Sequence, residues 1–268
     1  MVRAVRVHAP GGIEDLRLDD IELPEPGEDE ALIRVHAAAI TRDELDWVSD
    51  RLPAIPSYEL SGVLQERADG MPAGQEVFAL TPFDRDGVAA DYAVVPVEVL
   101  AAKPRSLNHT QAAALPMPGL SAWQALMIHG HLQPGWRVAI TGVRGGVGHL
   151  AAQLVHSKDA VLVDAGQHCD LLFDTVGGDA LAQGAQHAGR IVTIAAEAPG
   201  AHYFVVEPNR DQLDEVARLA DAGHLVPQID STYPLHEAQA AFTRTTTRGK
   251  HGKVVFDVNA ESRLVNDE

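Results

Sequence analysis

The segment Val138-Ala139-Ile140-Thr141-Gly142-Val143-Arg144-Gly145-Gly146-Val147-Gly148 carries an apolar strand through a glycine-rich turn into a helical pattern. Glycines let a backbone come close to a diphosphate. The N-terminus of the following helix offers unpaired N–H groups and the positive end of its dipole. Cradling phosphate is the chemistry this spacing can do; a tight turn serving only strand–helix packing is the plainer alternative. Arg144 is a basic group inside the turn, open to a phosphate role or to that of an exposed loop arginine.

The histidines invite a different reading. Thirteen are present with a single cysteine, Cys169, so neither a disulfide within the chain nor a Cys-rich zinc site can be built. His129 with His131, and His168 beside Cys169 and Asp170, lack the spacing of a catalytic zinc site and read as isolated surface histidines.

The elements that must position the turn have two textures. Up to about residue 117, short β segments alternate with Pro and Gly, as in an all-β barrel. Strands are expected at Val2–Val7, Leu16–Ile21, Ala31–His36, Leu60–Gln65, Glu76–Leu80, Ala90–Val95 and Val99–Ala102, with a turn at Gly11-Gly12. The acidic run Glu25, Glu28, Asp29, Glu30 reads as a solvated turn. From about Gln111, helices alternate with apolar strands, which implies a mostly parallel sheet covered on both faces. Val147, Leu150, Ala151, Leu154 and Val155 form one helical stripe, and Asn209 caps a helix that stops before Gly223. Strands are expected at Arg137–Thr141, Asp170–Asp174, Ile191–Ile194 and Lys253–Val258.

Composition narrows the function. The 268 residues carry 21 Lys and Arg against 38 Asp and Glu, a formal charge of −17, which repels nucleic acid and anionic lipid. No stretch reaches the ~18 apolar residues of a membrane helix. Neither Met1–Val7 nor Asn266–Glu268 reads as a targeting or lipidation signal, so a cytoplasmic protein is expected.

Gly142 to Leu154 resembles the signature of the zinc-free quinone oxidoreductases of the medium-chain dehydrogenase/reductase superfamily. Arg3–His8, Leu32–Ala38, Pro116–Leu126, Asp174–Gly178 and Gly249–Val255 are similar to that family in the same order. The resemblance implies a GroES-like β-barrel catalytic domain over 1–117 and a truncated Rossmann-like parallel-sheet domain over 118–228. It also implies a segment, 229–268, that returns to the first domain. The activity implied is NAD(P)H-dependent reduction of a quinone or an α,β-unsaturated carbonyl by hydride transfer in a homodimer, with NADPH as the cofactor. Gly142, Val143, Arg144, Gly145, Gly146 and Val147 would hold its phosphates, and Val176, Gly177, Ile194, Ala195 and Phe204 would line its nicotinamide. The zinc ligands of the wider superfamily are replaced by Thr41 and Tyr58, which become hydroxyl donors beside the nicotinamide and the candidate catalytic residues. Relatives have Asn-Pro where this chain has Thr41-Arg42.

The dinucleotide region is short. Only 23 residues separate Gln153 from Gly177, too few for the usual strand, helix and strand. Val161–Val163 is then one surviving strand, read as the family's third with its second deleted. On that reading the contacts to the adenosine 2′-phosphate are lost, and NADPH binding is expected to be weak, with little preference over NADH. Asp164 follows the surviving strand, where an acidic residue would read a ribose if the strand were the second. If the adenosine site is gone altogether, the retained cleft suits a non-redox small-molecule binder, a cyclase or an isomerase.

Overall fold

The computed structural model describes residues 1–9, 12–47 and 51–260, so Gly11 of the expected Gly11-Gly12 turn and Asn266–Glu268 lie outside the described residues. In chain order the strands of the first part are β1 (Val2–Val7), β2 (Leu16–Ile21), β3 (Glu30–Ile40), β4 (Glu59–Leu64), β5 (Glu76–Leu80), β6 (Tyr92–Pro96) and β7 (Ala101–Ala102). Helices α1 (His109–Ala113) and α2 (Pro116–Trp123) lead to β8 (Arg137–Ile140), α3 (Gly146–Ser157), β9 (Val161–Val163), β10 (Cys169–Asp174), α4 (Gly178–Ala185), β11 (Ala188–Thr193) and β12 (His202–Tyr203). The chain closes with α5 (Arg210–Asp221), β13 (Ile229–Tyr233), α6 (Ala238–Thr246) and β14 (Lys253–Asp257). Of the strand expected at Val99–Ala102, Ala101–Ala102 form β7, and Val99 ends a 3-10 turn, Val97–Val99.

β1 and β2 form an antiparallel hairpin. The large mixed sheet runs β13-β14-β3-β4-β5-β7, with β6 also on β3. The last strand is thereby seated beside an early one. Val254 pairs with Ile40 and Val255 with Ala39, while Ala39 pairs on its other side with Glu59. Side chains alternate between faces with period two, so Lys253, Thr41 and Glu59 emerge on one face around the small Ala39. That register assembles the polar centre described below.

The second sheet is wholly parallel, in the order β12-β11-β10-β8-β9. The apolar stripe of α3 lies on β8 and β9 with Leu150 and Leu154 buried, while α5, with Leu213 and Val216 buried, packs on α2 and β7. Asn209 caps α5 by accepting from Gln212 N at 3.0 Å.

One expectation is corrected here. β9 pairs directly with β8, Val138 opposite Leu162, so it is the second strand of the sheet order and not the third. β9 is also the edge of this sheet, with no strand paired beyond it among the described residues. Residues 164–168 carry β9 back to β10 on the far side of β8 without a helix. Crossing two strand spacings takes about 10 Å, within the reach of about 20 Å of a segment this long. Ala165 is packed with Ala139, Leu172 and Leu181, beneath α4.

Candidate functional site

The glycine turn lies where β8 ends and α3 begins. Gly142 has φ +70°, the left-handed region that favours glycine. A Cβ on Gly148 would stand 2.3 Å from Gly142 O, so that position fixes the close packing of turn on helix. Gly145 and Gly146, with Gly142 and Gly148, line a cavity of 490 Å3 between the two sheets. Thr41, Arg42, Met117, Val147, Val176, Ile194, Lys250 and Lys253 also line it. Three cationic side chains, Arg42, Lys250 and Lys253, thus gather at one cleft in a chain of net charge −17. Burial, with Lys253 and Arg42 close by, pushes the Lys250 ammonium down to about 8.

Behind the cleft is a buried polar centre. Lys253 Nζ lies 2.7 Å from Glu59 Oε1, with side chains 9% and 1% exposed, and donates to Thr41 Oγ1 at 3.0 Å. Thr41 Oγ1 in turn donates to Met117 Sδ at 3.3 Å. Glu44, fully buried, accepts from Thr41 N at 2.9 Å and from Ser57 N at 3.1 Å. Burial outweighs these bonds and the nearby Lys253, and pushes the Glu44 carboxyl up to about 8. Burial also holds the Glu59 carboxyl above its ordinary range, against the pull of Lys253. Burial thus favours the protonated form of both carboxyls, against the pull of Lys253.

The floor of the cleft is fixed by Asp174 at the end of β10. Its fully buried carboxylate accepts from Thr141 Oγ1 at 2.5 Å, Thr193 Oγ1 at 2.7 Å, and the N–H groups of Val176 and Gly177 at 3.0–3.3 Å. One side chain therefore ties the ends of β8, β10 and β11 to the 174–177 loop. Val176 and Ile194 present apolar surface from that floor.

A second cavity, 360 Å3, opens beside the ends of β8 and β9. Ile140, Val143, Leu162, Val163, Asp164, Ala165 and Gln167 line it. Because β9 is the second strand, Asp164 occupies the position at which an acidic residue meets a ribose diol.

The structure brings Thr41, Gly142, Gly145, Gly146, Val147, Val176 and Ile194 to one cleft, and Val143 to the neighbouring cavity. Gly177 is buried at φ +75°, and Ala195 follows as an exposed residue whose N–H donates to Thr193 Oγ1 at 3.1 Å. Three expectations are displaced. Tyr58 is 0% exposed, its ring packed on Trp47 and Phe83 and its hydroxyl 3.4 Å from Arg51 Nη2, so it offers the cleft no donor. Phe204 is buried against His129, ring centroids 4.4 Å apart, because β12 carries it to the sheet edge. Arg144 is exposed and lines neither cavity. Glu44, Glu59, Lys250 and Lys253 were not singled out as site residues from sequence. The available signal was a lone charge opening an apolar run, Glu59 before Leu60 and Lys253 before Val254-Val255.

Among the described residues, no three His, Cys, Asp or Glu side chains converge as a metal ion would require. No helix among them is long and apolar enough to cross a membrane.

Comparison with known proteins places this geometry. The family described as "Zinc-binding dehydrogenase" matches residues 151–256. The "Probable zinc-binding oxidoreductase, mitochondrial" of Arthroderma benhamiae is 28% identical, with 96% of each chain covered. That match extends over 319 positions, more than this chain's 268 residues, so the relative has segments that are missing here. The "NADPH-dependent alkenal/one oxidoreductase, chloroplastic" of Arabidopsis thaliana is 27% identical over 91% of this chain and 76% of its own. The quinone oxidoreductase of Coxiella burnetii superposes with a TM-score of 0.86 at 23% identity, covering 96% of this chain and 99% of that one. The glycine turn, the two sheets around one cleft and these matches make the chain similar to the quinone-oxidoreductase-like proteins of the medium-chain dehydrogenase/reductase superfamily, whose fold it shares.

Proposed function

We propose that this protein is a metal-free reductase of quinones or α,β-unsaturated carbonyls that uses a nicotinamide dinucleotide, with NADH preferred to NADPH. The observation that carries the reading is the cleft itself. Gly145 and Gly146 face Arg42, Lys250 and Lys253 across a space of 490 Å3 at the N-terminus of α3. The residues present fit the cofactor. The turn and the helix end would hold the diphosphate, with Arg42 and Lys250 opposing its charge. Val176 and Ile194 would carry the nicotinamide ring, and Asp164 would accept from the adenosine ribose hydroxyls. The bound cofactor would supply a hydride.

The rest is this chain's work. Asp174 holds the cleft floor rigid, so an acceptor is met by a preset surface. Among the described residues, Thr41 presents the one hydroxyl that both lines the cleft and is backed by a cation, and it would polarise the acceptor's oxygen. Asp164 favours NADH because a carboxylate repels a 2′-phosphate, and no basic side chain lines its cavity. The relatives' activities toward quinones and alkenals support the substrate class. A homodimer in a cytoplasmic setting completes the reading by family resemblance.

The test is reduction of a simple quinone and of 3-buten-2-one, followed through NADH absorbance. Turnover with either acceptor is expected. Nucleotide binding without turnover, or no binding of either nucleotide, would favour a non-redox binder or isomerase.

A further inference from the structure

We propose that the hydroxyl of Thr41 is the proton donor to the reduced acceptor, and that Lys253, anchored on Glu59, refills it. This rests on the hydride-transfer reading above and adds the acid that the reaction needs.

The first observation is how the Thr41 proton is held. Thr41 Oγ1 donates to the thioether of Met117 at 3.3 Å, and a thioether is a weak acceptor. A developing enolate or quinol oxygen in the cleft is a far better one, so the hydrogen bond shifts to it, and the ammonium behind Thr41 offsets the negative charge that proton transfer would leave on Oγ1. The second observation is the direction of Lys253. Its methylene stem would stand 3.6 Å from a Cβ on Gly146, so the stem faces the glycine turn while the ammonium is turned inward. There it donates to Thr41 Oγ1 at 3.0 Å and pairs with Glu59 at 2.7 Å. An ammonium serving only as a phosphate contact would point the other way. The third is elimination of the other hydroxyls among the described residues: Tyr58 is 0% exposed, and Thr175, which also lines the cleft, donates to Thr141 O at 2.8 Å.

The step balances as follows. As the β-carbon of an enone takes a hydride from a reduced nicotinamide, the C=C pair shifts to form an enolate. The enolate oxygen takes the Thr41 proton as the Oγ–H bond breaks, giving an enol. An N–H of Lys253 passes its proton to Thr41 Oγ, and the neutral amine recovers one from solvent through the cleft. The acceptor is reduced by two electrons and the nicotinamide oxidised by two. Lys253 does not touch substrate; it acts through Thr41 as a positioning and refilling residue.

Three variants test this with 3-buten-2-one and NADH. Thr41→Val should lower kcat by about 100-fold, the lower end of what a general acid contributes, with the NADH dissociation constant little changed. Thr41→Ser should restore most of the rate. Lys253→Arg keeps a cation on Glu59 and a donor to Thr41, but a guanidinium does not release its proton, so kcat should again fall about 100-fold. Both slow variants should show a larger solvent deuterium effect on kcat than the native chain. Without nucleotide, 15N NMR of lysine-labelled protein should show the Lys253 ammonium resonance moved by Thr41→Val and little moved by Thr41→Ser. Native kcat in Thr41→Val or Lys253→Arg would overturn the proposal while leaving the reductase reading intact. Failure of the native protein to reduce any acceptor would overturn that reading, and this proposal with it.

Discussion

Glu59 and Lys253 lie on the two strands that flank β3 and meet at 2.7 Å, almost wholly out of solvent. Removing one partner of such a pair strands the other charge. Glu59→Leu or Lys253→Met alone should therefore cost about 3–5 kcal/mol of stability, and the double variant much less than the sum. Denaturant unfolding of the four proteins measures this, and additive losses would show that the two groups are not coupled.

Glu44 makes stability depend on pH. Its carboxyl titrates near 8 in the folded chain against an ordinary value of 4.5, so between those values the folded state holds a proton that the unfolded state has lost. Its contribution is fully present below about 4.5 and fades as pH rises through 8, by at most ~1.4 kcal/mol per unit. Unfolding midpoints should fall from pH 6 to 9, and Glu44→Gln should flatten that decline.

The glycines of the turn should separate by role. Gly148→Ala sets a Cβ against Gly142 O and should destabilise the fold, by about 1–3 kcal/mol as overpacking does. Gly146→Val meets only the stem of Lys253 at 3.6 Å and should leave the unfolding midpoint nearly unchanged while obstructing the diphosphate. Unfolding and NADH titration of both variants distinguish the two effects.

Lys250 should make cofactor affinity pH-dependent. Its ammonium titrates near 8, and an anion beside it favours the charged form, so affinity weakens as pH rises through 8. With one proton linked, the dissociation constant rises at most tenfold per unit. Lys250→Met should remove that slope, as measured by NADH fluorescence between pH 7 and 9.5.

Much of this was legible before any coordinates. β1, β2, β5 and β9 fall where the apolar alternation put them, and α3 and α5 follow their stripes to within a residue at either end. Local pattern could not say which neighbour β9 takes, because a three-residue strand carries no pairing information. Its identity as the second strand, and with it the meaning of Asp164, comes only from the β8 pairing. Likewise Lys253 and Thr41 are 212 positions apart, and their contact depends on the β14–β3 register. Tyr58 misled because a tyrosine suits a packed aromatic cluster as well as it suits a cleft.

Titration of the protein with NADH and NADPH, following nicotinamide fluorescence, tests the central claim of a working dinucleotide cleft most directly. With β9 at the edge of its sheet, the adenosine side is open and both constants should be modest. NADH should bind about 10- to 100-fold more tightly, the worth of a charge-assisted hydrogen bond from the ribose to Asp164. Asp164→Ser should remove most of that difference. Tighter binding of NADPH would contradict the role given to Asp164, and no binding of either nucleotide would contradict the account of the cleft itself.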